Sequence, residues 1–289
     1  TLNIMTKNIF YAVLMLISTT AFAQQEEQLS LYNYNTLFYN PAYAGSRDAV
    51  SMVGIGRFQW VNMSGAPMTQ WFSVHSPIVG KSFGVGAHMV NDKIGSRNRT
   101  AAFLDLSTSV QVAKNGTRLA FGLSAGADFI SRDFSNLNVD HQADEYNTNY
   151  SFTKFNVGAG LYLYSDKAYF GLSVPRMMKV EGRDPNNMLN SLINRHYYLS
   201  AGYVFSLNSI LKLKPSTLVK FIPNAPLKID VNATFILYDF LHLSAMYRIT
   251  EAAGINTVVR IKDSFFIGYS YEFPINGLAT YQSGSHEVL

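Results

Sequence analysis

Gly122-Leu-Ser124-Ala-Gly126 has the spacing of a nucleophile elbow, in which a serine on a sharp strand-to-helix turn attacks a carbonyl carbon. The flanking residues contradict that geometry. Leu119, Phe121, Leu123, Ala125, Ala127 and Phe129 alternate with Ala120, Gly122, Ser124, Gly126 and Asp128, and no helical pattern follows. Ser124 is therefore read as a small residue on the polar face of a strand. Gly84-Val-Gly86 and Gly158-Ala-Gly160 likewise lack the helix that a phosphate cradle needs. Asp140, His141, Asp144 and Glu145 could supply oxygen and imidazole ligands to a metal, but they fall in a long polar connection with nothing to fix their geometry. The six histidines are dispersed, with His75, His88, His196 and His242 inside strand patterns. The absence of cysteine removes disulfides, thiolate metal sites and cysteine nucleophiles together. No residue is assigned catalysis and no cofactor is expected; the chain reads as a non-enzyme.

The elements that would hold these residues are strands throughout. Alternation recurs in Phe83/Val85/Ala87/Met89, Phe155/Val157/Ala159/Leu161/Leu163, Ile229/Val231/Ala233/Phe235, Leu241/Leu243/Ala245/Tyr247 and Phe265/Ile267/Tyr269/Tyr271/Phe273. The pattern predicts fourteen strands at about 49–61, 67–77, 82–91, 99–113, 117–132, 153–165, 167–174, 195–206, 211–222, 227–237, 240–250, 254–262, 264–273 and 284–289, with a bulge expected at Pro215. Connections after the even-numbered strands are short. Those after strands 5, 7 and 13 are long, spanning 133–152, 175–194 and 274–283. An up-and-down antiparallel transmembrane β-barrel of the outer membrane has this asymmetry, with tight periplasmic turns, longer external loops and both termini in the periplasm. A soluble two-sheet sandwich is the competing fold, but its polar faces would carry Lys, Glu and Thr where these carry Gly, Ser, Asn and Tyr.

Composition agrees. Only 15% of the 289 residues are charged, 14% are aromatic and the mean hydropathy is +0.04, which excludes a bundle of membrane helices while fitting strands with one apolar face. A net charge of +4 with scattered basic residues gives no reason to expect a nucleic-acid partner. From Met5, Lys7 precedes an apolar stretch from Ile9 to Ile17 and the small residues Ala21 and Ala23, the form of an export signal cleaved after Ala23. The expected organisation is a signal peptide at 1–23, a periplasmic lead at 24–48, and a barrel at 49–289 whose last strand, ending His286-Glu-Val-Leu289, looks truncated.

Just before the first strand stands Asn40-Pro41-Ala42-Tyr43-Ala44-Gly45-Ser46-Arg47, followed by Arg57-Phe58-Gln59-Trp60-Val61, Gly65-Ala66-Pro67-Met68-Thr69-Gln70, Val90-Asn91-Asp92-Lys93-Ile94-Gly95 and Ser283-Gly-Ser-His-Glu287. In these segments the chain resembles the PorP/SprF family of Bacteroidetes outer-membrane proteins, associated with type IX secretion and gliding motility. The resemblance implies a membrane barrel that aids the export or surface retention of adhesin-like proteins carrying C-terminal sorting domains, with outer-membrane lipid, secretion components and the secreted surface protein as partners. It makes Asn40, Pro41, Ala42, Tyr43, Ala44, Gly45, Gln59, Trp60, Gly65, Pro67, Asn91, Asp92, Lys93 and Gly95 candidate contact residues. Their physical reading is equally open: Asn40-Pro41 initiates a turn and Gly45 permits backbone that other residues resist, so the motif could simply steer the chain into strand 1. The rival function is a passive transporter for a small apolar solute, since about fourteen strands can enclose a lumen.

Overall fold

The computed structural model describes residues 27–79, 82–134, 149–183, 189–262, 264–280 and 282–289. The expected signal peptide and the Asp140, His141, Asp144 and Glu145 cluster lie outside them. The strands are β1 (Ser51–Phe58), β2 (Met68–Val79), β3 (Phe83–Ile94), β4 (Arg97–Gln111), β5 (Arg118–Arg132), β6 (Tyr150–Tyr164), β7 (Ala168–Val174), β8 (Val180–Arg183), β9 (Leu189–Ile193), β10 (Tyr197–Tyr203), β11 (Phe205–Ser206), β12 (Leu211–Phe221), β13 (Lys228–Leu237), β14 (Leu241–Arg248), β15 (Ala252–Lys262), β16 (Phe265–Pro274) and β17 (Ser285–Val288).

All but β8 and β9 join one antiparallel sheet, which closes where β10 pairs with both β7 and β12 and where β17 bridges β1 and β16. β10 and β11 are two parts of one stave, so fifteen strands make a closed barrel of fourteen. Closure satisfies every stave edge that lipid could not. The alternation expected from sequence is the alternation observed: on β5, Leu119, Phe121, Leu123 and Phe129 are exposed while Ala120, Gly122, Ser124 and Asp128 are buried. Phe155 is 78% exposed and Leu104 69%, on a wall that is apolar from strand to strand. Such a band is far larger than a soluble monomer shows, and lipid is the medium that covers it.

Three expectations need correction. Pro215 makes no bulge: its register with Ala233 on β13 is unbroken. A proline has no amide hydrogen to donate, so the ladder on the other side lapses there, between the Ser216↔Gly202 and Leu213↔Phe205 pairs, and splits β10 from β11. The long connection from 175 to 194 is not plain loop but carries the β8–β9 hairpin, with Val180 packed on Ile130 and Phe152. The lead placed outside the barrel by sequence lies within it. From Glu27 to Ala44 it runs through the lumen as three short helical turns, Tyr32–Tyr34, Thr36–Tyr39 and Pro41–Tyr43, with Leu29, Leu31, Leu37, Phe38, Tyr39 and Ala42 buried. They pack on inward residues of the wall, Ile55, Trp71, Val90, Phe103, Tyr198 and Val258 among them, so the core of this protein is the lead against the inside of the barrel.

Candidate functional site

The lead enters the described structure near the long-loop end and leaves toward the short turns, and two kinds of contact hold it. At the long-loop end the contacts are ionic. The Ser30 and Leu31 amides donate to the two carboxylate oxygens of Glu287 at 2.8 and 2.9 Å, and the Ser30 hydroxyl donates to Glu272 at 2.7 Å. Arg57 bridges Glu272, at 2.9 Å, and Glu287. Arg248 joins Glu272 to Asp230, each at 2.9 Å. Across the lumen Arg99 binds Glu27 and Asp128, both at 2.5 Å. All these side chains are buried, where an ion without a partner would be costly, and each charge is neutralised by a neighbour on another strand or on the lead. Arg176, from the loop after β7, lies 3.6 Å from Asp128 and places its guanidinium over the rings of Phe38 and Phe103 at 5.8 and 5.3 Å, joining that loop to the lead.

Nearer the short turns the contacts are steric. Asn40 caps the Pro41–Tyr43 turn by accepting from the Ala42 amide at 3.0 Å, and its side-chain amide donates to the Leu161 carbonyl at 2.9 Å. Ala42 lies so close to Gly122, and Asn40 to Gly160, that a methyl group on either glycine would overlap the lead. Ser107 donates to the Ala44 carbonyl at 2.6 Å. Gly45 has φ +67°, donates to His75 Nδ1 at 3.2 Å and faces Gly84 backbone to backbone. Tyr43 sets its ring edge-on to His75 and Tyr162 and takes a hydrogen bond from Arg47 at 3.0 Å.

The candidate contact residues therefore divide. Asn40, Pro41, Ala42, Tyr43, Ala44 and Gly45 are inside the lumen, touching the barrel's own wall. The remaining candidates gather at the long-loop end. Gln59 donates from its amide to the Pro67 carbonyl at 3.0 Å, Trp60 takes the left-handed φ of 48°, and the Gly95 amide, in the turn between β3 and β4, donates to the Gly65 carbonyl at 3.0 Å. Asp92 accepts from Thr69 and Arg97, each at 2.7 Å, while Asn91 donates to Asn98 and Thr100 and Lys93 is exposed. Gln59, Trp60, Pro67 and Asp92 share an open vestibule there with Glu27, Arg57 and Glu251.

Sequence reasoning missed the ionic lock. Its signal was present: Asp128, Asp230, Arg248 and Glu272 all fall on polar strand faces, and charges of both signs at inward positions of a barrel must find each other. The elbow-like Ser124 sits opposite Asp105 in register, and His88 Nδ1 lies 2.8 Å from that same carboxylate. The carboxylate thus stands between histidine and serine, whereas a nucleophile relay needs the imidazole between them.

A sequence profile described as the type IX secretion system membrane protein PorP/SprF matches residues 21–289. The chain belongs to the PorP/SprF family. A search of curated proteins gave no match. Among solved structures this PorP/SprF barrel is similar to a Pseudomonas aeruginosa FadL homologue, at 12% identity over 86% of this chain and 90% of that one with a TM-score of 0.45. It is also similar to BamA from Haemophilus ducreyi, at 9% identity over 84% of this chain and 70% of that one with a TM-score of 0.41.

Proposed function

We propose that this PorP/SprF barrel is a non-enzymatic accessory of type IX secretion in the outer membrane, aiding the secretion or surface retention of adhesin-like cargo with C-terminal sorting domains. The observation that carries this reading beyond the family is the occupied lumen. A passive conduit for apolar solutes needs a continuous path, whereas here the lead fills the middle of the barrel and is fastened at both levels, which suits a protein that recognises partners with its ends. In this reading the long connections face outward and take cargo, the short turns and Leu289 face the periplasm, the lead begins at the outward end with Glu27 rather than on the periplasmic side expected from sequence, and Gln59, Trp60, Gly65, Pro67, Asn91, Lys93 and Gly95 line the outward mouth.

Affinity capture of the tagged chain from its native outer membrane tests the reading, with a secreted surface protein or a secretion component as the expected co-purifying species. Recovery of neither, together with solute uptake into liposomes, would replace it with the transporter. Protease access on intact cells tests the orientation: cleavage in 175–194 is expected, and cleavage at Lys114–Gly116 instead would invert it.

A further inference from the structure

The two halves of the lumen differ in how their cations are neutralised. At the long-loop end Arg57, Arg99 and Arg248 each meet carboxylates. Toward the short turns a cavity of about 640 Å³ is lined by Tyr34 and Arg47 from the lead and by Lys214, Thr234 and His242 from the wall. Among the described residues neither cation has a carboxylate partner. The Lys214 ammonium lies over the Tyr169 ring at 5.5 Å, and Arg47 donates to the Tyr43 hydroxyl. Asp48 is the acidic side chain on the described lining.

The cavity is also built rather than incidental. Tyr34 and His242 Nδ1 share a hydrogen bond of 2.7 Å, Tyr169 donates to Asn33 at 2.9 Å, and Val53, Ile236 and Phe266 give an apolar side. At the surrounding mouth Lys114, Lys167 and Lys262 are exposed with Asp166, while Lys212 is taken by Asp239. A guanidinium fork and an ammonium on one lining, against the single acid Asp48 among its described residues, leave an excess of positive charge that complements a carboxylate. The excess of positive charge continues out to the turns, which suits an extended ligand bearing several negative charges rather than a single small anion.

We infer that this cavity is a receptor site for a carboxylate carried on an acidic polypeptide segment that enters the lumen from the short-turn end. Arg47 holds the carboxylate from the lead, Lys214 holds it from the wall, and the basic turns draw the segment in. The site is independent of which cargo the barrel serves and stands without the secretion reading.

The test is fluorescence anisotropy on the whole chain in neutral detergent micelles, at about 50 mM salt so that screening stays weak. The probes are a labelled peptide of alternating Asp and Ser and its Asn/Ser counterpart, with inorganic phosphate and dodecanoate as competitors. The acidic peptide is expected to bind, and the amide version to bind at least about tenfold more weakly. Lys214→Gln and Arg47→Gln should each weaken the acidic peptide by about tenfold or more, with Lys214→Arg retaining most of the affinity. Lys114→Gln, out on a turn, should change it by less than about threefold. Heat-modifiable migration on gels confirms that each variant is a folded barrel. Equal binding of both peptides, or unchanged affinity in both Gln variants, overturns the site. Displacement of the peptide by equimolar phosphate or dodecanoate also overturns it, in favour of a free anion or an amphiphile.

Discussion

One segment, from Glu27 to Gly45, is held in the same lumen by two different kinds of contact. Near the long loops it is tied by ion pairs and charge-assisted hydrogen bonds through Glu287, Glu272, Arg57 and Arg99. Near the short turns it is fitted against the bare backbones of Gly84, Gly122 and Gly160. Ion pairs are soft in position but costly to break singly; steric fits admit no intrusion but carry no long-range pull. The division implies that the upper contacts set how firmly the lead is held, and the lower ones whether it fits at all.

The largest effect should come from filling the space of a glycine. A leucine at Gly122 would need the volume held by Ala42, and the wall strand, paired on both sides, cannot retreat. Gly122→Leu should therefore expel the lead from its lower seat, giving large conductance steps in planar bilayers and new trypsin cleavage at Arg47. A closed, protease-resistant Gly122→Leu barrel would mean that the steric seat is unimportant.

Breaking the upper contacts should do something different. Arg57→Met strands Glu272 and Glu287 in a buried site, at a cost of about 3–5 kcal/mol, although Arg248 still neutralises part of Glu272. The denaturant midpoint should fall markedly while conductance stays low, because Asn40 to Gly45 remains seated. If Arg57→Met opens the pore as fully as Gly122→Leu, the two regions act as one and the comparison fails.

Asn40 gives a finer measure of the lower seat. Asn40→Ala removes the cap on Ala42 and the donor to Leu161, for about 1–2 kcal/mol. Asn40→Asp keeps the cap but turns a second acceptor on the Leu161 carbonyl, so it should destabilise more than alanine by thermal unfolding. The opposite order would place the weight on the cap alone.

The wall was legible in the sequence because a barrel strand has a fixed period and its two faces meet different media; β4 and β5 follow that rule along most of their length, whereas the burial of residues 211–215 of β12 does not alternate. The lead was not. Leu29, Leu31, Leu37 and Phe38 show no strand or long-helix period, because their partners lie on staves scattered around the circumference. The glycines of β3, β5 and β6 were correctly placed facing inward, but a small residue opposite water and one opposite another chain segment are written alike. The Asn40–Gly45 motif was visible as a turn, and its burial became apparent only once the barrel closed around it. The lock failed to emerge for the same reason: Arg57 and Glu272 are 215 positions apart, and only closure makes them neighbours.

The smallest effect belongs outside both regions and serves as their control. In the turn between β13 and β14, Tyr238 and Asp239 both take left-handed backbone with φ 52°, and Lys212 Nζ reaches both oxygens of Asp239 at 2.6 and 2.8 Å. That hydrogen bond, with the charge of Lys212 behind it, holds the Asp239 carboxyl below the usual carboxylate range. A carboxylate more acidic in the folded than in the unfolded chain stabilises the fold above its unfolded pKa of about 4 and loses that contribution as pH falls through the folded value. Asp239→Asn suits the same left-handed backbone and removes only the charge. It should lower the thermal midpoint slightly at pH 7, and the difference should shrink as pH falls through the folded pKa of the wild-type carboxyl. Because the pair is exposed, the shift at pH 7 should be far smaller than that of Arg57→Met. An equal shift would mean that burial adds nothing to the strength of the upper lock.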